Sequence, residues 1–106
     1  MTMATPSFDP YFVDVLMPDL VGHDRSPAAF IVYLYLWRRA SLSPRGVVQA
    51  SYATIAVDTG LSRVTAQRAV ALLRRRRLIS SRSESRTSVP KYAVLRPWVG
   101  RIPGHA

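Results

Sequence analysis

Arg63, Gln67 and Arg68 are the side chains of this sequence best placed to do chemistry, and that chemistry is hydrogen bonding rather than bond making. Arg can grip guanine O6 and N7 with paired donors, and Gln can grip adenine N6 and N7 in the same way. Both types belong at the start of an exposed helix that enters a major groove. The residues around them build such a helix. Ser51 and Ser62 can each accept a hydrogen bond from the first free N–H groups of a helix. Gly60 stands where the chain must leave one helix with positive φ, which Gly adopts without steric cost. Ile55, Ala56, Leu61, Ala66, Val70 and Leu73 recur at spacings that turn them toward one another. Arg63, Val64, Gln67 and Arg68 are left facing outward as candidates for base contact. The stretch Ser51 to Val70 therefore reads as a helix, a tight turn and a second helix.

Further residues are candidates for the sugar–phosphate backbone. Ser51, Tyr52, Thr54, Ser62 and Thr65 lie near helix starts, where side chains often donate to phosphates, although capping alone accounts for Ser51 and Ser62. Arg74-Arg75-Arg76-Arg77 forms a basic run that the negative end of a helix also favours. Successive residues point in different directions, so one or two of the four are expected to matter, Arg74 first. Arg82, Arg86 and Lys91, further along, have fewer structural reasons to be basic.

Catalysis finds no support. The chain has no cysteine, no carboxylate pair and no Gly-rich phosphate loop, and His23 and His105 lie far apart without partners at ligand spacing. Asp9, Asp14, Asp19 and Asp24 recur every five residues, but five residues on an α-helix rotate by about 140°. They would not share a face, so no metal and no cofactor are expected.

Charge is distributed unevenly along the 106 residues. The first 24 hold four acids and no base; the remainder hold all fifteen bases and only Asp58 and Glu84 as acids. Fourteen of the bases are Arg, whose flat fork suits phosphate oxygens and guanine edges. With a net charge of +9, a polyanion is the expected partner. Nearly half the residues are apolar, enough for one folded domain. The longest apolar run, Ala28 to Trp37, is about half of what a membrane span needs. No signal peptide is evident, and the missing cysteines fit a reducing cytosol, so a cytoplasmic, nucleoid-associated protein without membrane contact is expected.

Along the chain, Phe8 to Gly22 admits two readings. Asp9-Pro10 can start a short helix with Phe8, Tyr11, Phe12, Val15 and Leu16 on one face, or Phe12 to Val15 can form a short strand followed by one helical turn at Pro18. The strand is preferred because Pro18 would break a helix continuing past Met17. Ser26-Pro27 caps and opens a helix to about Ala40. That helix is apolar on all sides, so one face must pack on the helix pair and another on the N-terminal segment or a second subunit. Phe30, Tyr33, Leu34 and Trp37 are the candidates for an interface between two copies, and a homodimer is the expected state. Tyr33, Tyr35 and Trp37 as a base-stacking platform is the less favoured alternative. Gly46 to Ala50 reads as a strand, residues 63–76 as the second helix of the pair, and Leu78 to Arg82 with Tyr92 to Arg96 as a hairpin with a basic tip.

The order helix, strand, helix-turn-helix, hairpin is that of a winged helix. The run Thr59-Gly60-Leu61-Ser62-Arg63-Val64-Thr65-Ala66-Gln67-Arg68-Ala69-Val70 resembles bacterial winged-helix domains of GntR-type and MarR-like regulators and of phage and plasmid replication initiators. The resemblance covers roughly residues 12–96. It implies an α+β, mainly helical fold: a three-helix core, a short strand and a two-stranded wing. The expected organisation is a flexible N-terminal segment 1–11, a winged helix-turn-helix domain 12–98 and a tail 99–106. Where that group commonly has Gly, this chain has Arg77, and an Arg in left-handed conformation would cost about 1 kcal/mol. The function implied is sequence-specific binding of double-stranded DNA as a small bacterial or phage transcriptional regulator, a homodimer meeting a near-palindromic operator. A replication-initiation or partition module, and a winged helix used for protein–protein contact, are the alternatives.

Overall fold

The computed structural model describes residues 8–99; residues 1–7 and 100–106, which carry most of the expected N-terminal arm and tail and His105, lie outside them. Three α-helices, α1 (Pro27–Ser41), α2 (Tyr52–Thr59) and α3 (Arg63–Arg75), combine with three strands, β1 (Val47–Gln49), β2 (Ile79–Arg82) and β3 (Lys91–Val94). The sheet is antiparallel in the order β1-β3-β2, so the hairpin β2–β3 extends from it as a wing. This is the expected mainly helical α+β winged helix-turn-helix. Among the described residues no helix is long and apolar enough to cross a membrane.

The N-terminal segment differs from the preferred reading. Phe12–Leu16 and Pro18–His23 are π-helical, and no strand forms there. The chain enters this helix at Asp9-Pro10, where the Asp9 carboxylate accepts from the Tyr11 N–H at 2.9 Å and the Asp9 carbonyl from the Phe12 N–H at 2.9 Å. Pro18 does not end it because the turn before it is wide. The Met17 N–H bonds back five residues to Phe12, which spares the proline ring the tight i−4 register with which it clashes.

The same widening corrects the expectation for one pair of the aspartates, Asp19 and Asp24. In a π-helix, residues five apart stack on one face, and the Asp24 N–H bonds the Asp19 carbonyl at 2.9 Å. Their carboxylates meet on one side, with His23 Nδ1 2.9 Å from Asp24 and 4.0 Å from Asp19.

Helix α1 begins as its sequence dictates: the Ser26 hydroxyl accepts from the Ala29 N–H at 3.1 Å, with Pro27 at the first helical position. Most of its apolar surface is covered within the chain, Ile31 remaining exposed. One side packs on α3 and α2. Another meets the N-terminal helix, where Phe12 stands edge-on to Tyr33 and Trp37, with ring centroids 5.4 Å apart in each case. The C-terminal segment closes the ring: Trp98 stacks on Tyr11 at 4.1 Å and donates from Nε1 to Asp9 at 2.7 Å, while the Tyr33 hydroxyl donates to the Leu95 carbonyl at 2.9 Å. Each such aromatic pair adds about 0.5–1.5 kcal/mol beyond area burial. Phe8 and Tyr11 join this cluster, Phe8 edge-on to Phe12 and Trp37. Val48, Tyr92 and Ile79 on the inner face of the sheet complete the core.

Candidate nucleic-acid interface

Local capping fixes where α3 starts and which face it shows. The Ser51 hydroxyl accepts from the Thr54 N–H at 3.1 Å and opens α2; Ser62 does the same for Thr65 at 3.1 Å and opens α3. Between them Gly60 takes φ +80°, and its N–H bonds the Ala56 carbonyl at 2.9 Å. Ala66, Ala69, Val70 and Leu73 are buried on one side of α3. Arg63, Val64, Gln67 and Arg68 are exposed on the other, as the spacing predicts, and Val64 keeps 55% of its surface open despite being apolar. The caps also claim part of the candidate backbone set. Ser51 and Ser62 each donate their hydroxyl proton to a neighbouring hydroxyl, Thr54 at 3.1 Å and Thr65 at 2.8 Å. Tyr52 is partly buried against the core, and Thr54 stays exposed.

The structure sorts the run Arg74 to Arg77 into different duties. Arg74 donates to the Ser81 hydroxyl at 3.0 Å, tying the end of α3 to the wing strand β2. Arg75 is exposed. Arg76 turns back and bonds both Asp19 and Asp24, forming a clamp between α3 and the N-terminal helix. The Asp24 side chain is only 12% exposed. Its hydrogen bond with His23, and then the Arg76 guanidinium, hold its carboxyl below the ordinary value against the opposing effect of burial. Asp19, His23 and Asp24 together offer ligand atoms within 4.8 Å of one another, but the guanidinium already occupies both carboxylates.

Arg77 stands at φ +56°, the left-handed conformation that Gly usually supplies. The Arg77 N–H bonds the Arg74 carbonyl at 3.0 Å and the Leu78 N–H bonds the Leu73 carbonyl at 2.9 Å. This is the Schellman ending, with Leu78 and Leu73 both buried. The helix thus ends as the resemblance implies, with an Arg in the Gly position.

On the wing, Arg82, Arg86 and Lys91 are all exposed, and Arg82 faces Lys91 directly across β2 and β3. The Ser83–Pro90 loop is held by the Ser85 hydroxyl against Thr87 and Ser88. The α1 candidates fare differently. Tyr33 is fully buried inside one chain and cannot line an interface between copies. Trp37 packs on Phe8 and Phe12, and Phe30 and Leu34 pack partly against the core. Nor do these rings form a platform for bases: Tyr35 hydrogen-bonds Asp58 at 2.6 Å and accepts from Arg39 at 2.9 Å, linking α1 to α2.

Sequence reasoning missed two cations. Arg76 as a clamp had one available signal, the acid-rich stretch before it with no base of its own. Arg45 had none, since it lies in the loop before β1 and only the fold brings it beside the outer side of the sheet. Comparison with curated proteins and with solved structures gave no match. A helix-turn-helix domain family matches residues 26–79, just over half of the chain, from the cap of α1 through both helices of the pair to the first residue of the wing. The chain belongs to this helix-turn-helix family, and the pair α2 and α3 lies inside the matched residues.

Proposed function

We propose that the protein binds duplex DNA sequence-specifically and acts as a small transcriptional regulator by occupying its site. Helix α3 enters the major groove from its N-terminal end, and the wing grips the flanking backbone. The observation that carries this reading is the outward set Arg63, Val64, Gln67 and Arg68, held at the capped start of a helix whose other face is core. Arg63 adds to the positive end of the helix dipole, so the same end that reads bases attracts phosphate. Arg82, Arg86 and Lys91 supply backbone contacts from the wing.

The test separates reading from gripping after a preferred site has been selected from random duplexes. Arg68→Ala costs about 1–3 kcal/mol on that site and relaxes choice at one or two base positions. Arg86→Ala weakens preferred and random DNA by similar factors and lowers the log–log salt slope by about one. If Arg86→Ala alters sequence preference while Arg68→Ala leaves it intact, the wing is the reader and this docking is wrong.

A further inference from the structure

The sheet carries a second surface, on the side turned away from the core. Its register lays two rows across that outer face: Val47, Ala93 and Ser80, then Gln49, Lys91 and Arg82 one step closer to the wing tip. The loop before β1 and the wing loop rim this face and enclose a groove of about 1020 Å³. Arg45 stands on one rim, Lys91 and Arg82 on the floor, and Glu84 is the acid on its lining.

Three physical points indicate what the groove takes. Arg45, Arg82 and Lys91 are exposed and form no ion pair with any described residue. Arg82 and Lys91 sit directly opposite each other, an arrangement of like charges that weakens a strand pair and that a bound anion relieves. Tyr92, the aromatic residue on the lining, is 1% exposed and offers no face for stacking unpaired bases. The lining runs from the end of the wing loop at Val89 along β3 to Ala93, and the three strand residues Lys91 to Ala93 alone span roughly 10 Å, more than one phosphate's width.

We propose that this groove holds the sugar–phosphate backbone of duplex DNA flanking the segment read by α3. The proposal rests on the DNA-binding reading above, shares Arg82 and Lys91 with the wing contacts given there, and adds Arg45 and the outer face of the sheet. Its signature is a dependence on duplex length, because DNA reaches the outer face only beyond the segment covered by α3.

The experiment compares the full chain with Arg45→Ala and Arg45→Glu on a duplex of about 12 base pairs, roughly one helical turn, and on one of about 30. A single-stranded oligonucleotide of the longer length is the third probe. The full chain is expected to prefer the long duplex. Arg45→Ala lowers the salt slope on the long duplex by about 0.9, with a loss of several-fold at low salt, and leaves the short duplex unchanged. Arg45→Glu deepens the loss on the long duplex alone. Circular dichroism confirms that both variants fold. Equal losses on both duplexes reveal a general field effect and overturn the groove; unchanged affinity on the long duplex overturns it as well, while short-duplex binding stands. A loss confined to the single strand assigns the groove to a different ligand and refutes the proposal. If the unaltered chain binds neither duplex, the DNA-binding reading itself falls, and the groove with it.

Discussion

Arg77 offers the sharpest test of how this backbone is built. A residue with a Cβ in left-handed conformation carries about 1–2 kcal/mol of strain, and Arg77 stands at φ +56° because the Schellman bonds of α3 require it. Arg77→Gly removes that strain, while the greater freedom of Gly in the unfolded chain returns about 0.5–1 kcal/mol of the gain. The expected net stabilisation is about 0.5–1 kcal/mol, a Tm rise of about 2–8 °C for a domain of this size. Arg77→Ala is the control. It deletes the same exposed side chain but keeps the Cβ, and should lie within about 0.5 kcal/mol of the parent. The two variants, compared by urea and thermal unfolding followed by circular dichroism, separate conformation from charge. Gly60 supplies the mirror image. A Cβ added there meets nothing within 4 Å, yet φ is +80°, so Gly60→Ala should destabilise by about 0.5–1 kcal/mol net, the strain less the unfolded-state gain. If Arg77→Gly proves no more stable than Arg77→Ala, strain at this helix end is not what the backbone angle implies, and the reasoning fails.

Two other outcomes follow from the same packing. Asp24→Asn should cost about 1–2 kcal/mol at neutral pH by weakening the clamp on Arg76. Because the folded carboxyl sits below its unfolded value, its contribution is fully present above the unfolded value and fades as pH falls through the folded one. The gap between parent and variant in urea midpoints should therefore close below about pH 4; a gap that persists at lower pH contradicts the assignment. Light scattering at micromolar concentration without DNA should report a monomer, since the N-terminal helix and Trp98 cover the side of α1 that motivated a dimer; a stable dimer places the interface on another surface.

What could be read from the sequence followed the range of the forces involved. Ser51, Gly60 and Ser62 act over three or four residues, so the helix pair and its outward face were visible in local spacing. The burial of Ala66, Val70 and Leu73 obeys the 3.6-residue period and was equally plain. The N-terminal helix was misjudged because a π-register leaves no mark in a period of two or 3.6. Pro18 then argued against a helix that a wide turn in fact accommodates. Long-range pairings were the other blind spot. Nothing near Arg76 announces Asp19 and Asp24 more than fifty residues earlier, and the row Gln49, Lys91 and Arg82 exists only through strand register.

The uneven charge of the sequence becomes a spatial asymmetry in the fold. Asp19 and Asp24 fold back onto Arg76, and Asp9 lies 3.9 Å from Arg96 while it accepts from Trp98. Three of the four early acids are thus engaged by cations, none of which belongs to the outward set of α3. Arg63 at its start and Arg68 a turn and a half further on have no ion-pair partner among the described residues, and Arg63 adds to the positive end of the dipole. The Arg76 clamp holds the far end of the helix, and the Ser62 cap holds the near one. The acidic segment is thus tied to the C-terminal end of α3 through Arg76, away from the capped start that carries Arg63. The net charge of +9 therefore understates the field at the surface offered to DNA. The total of fifteen bases, conversely, overstates the number of phosphates the protein can neutralise.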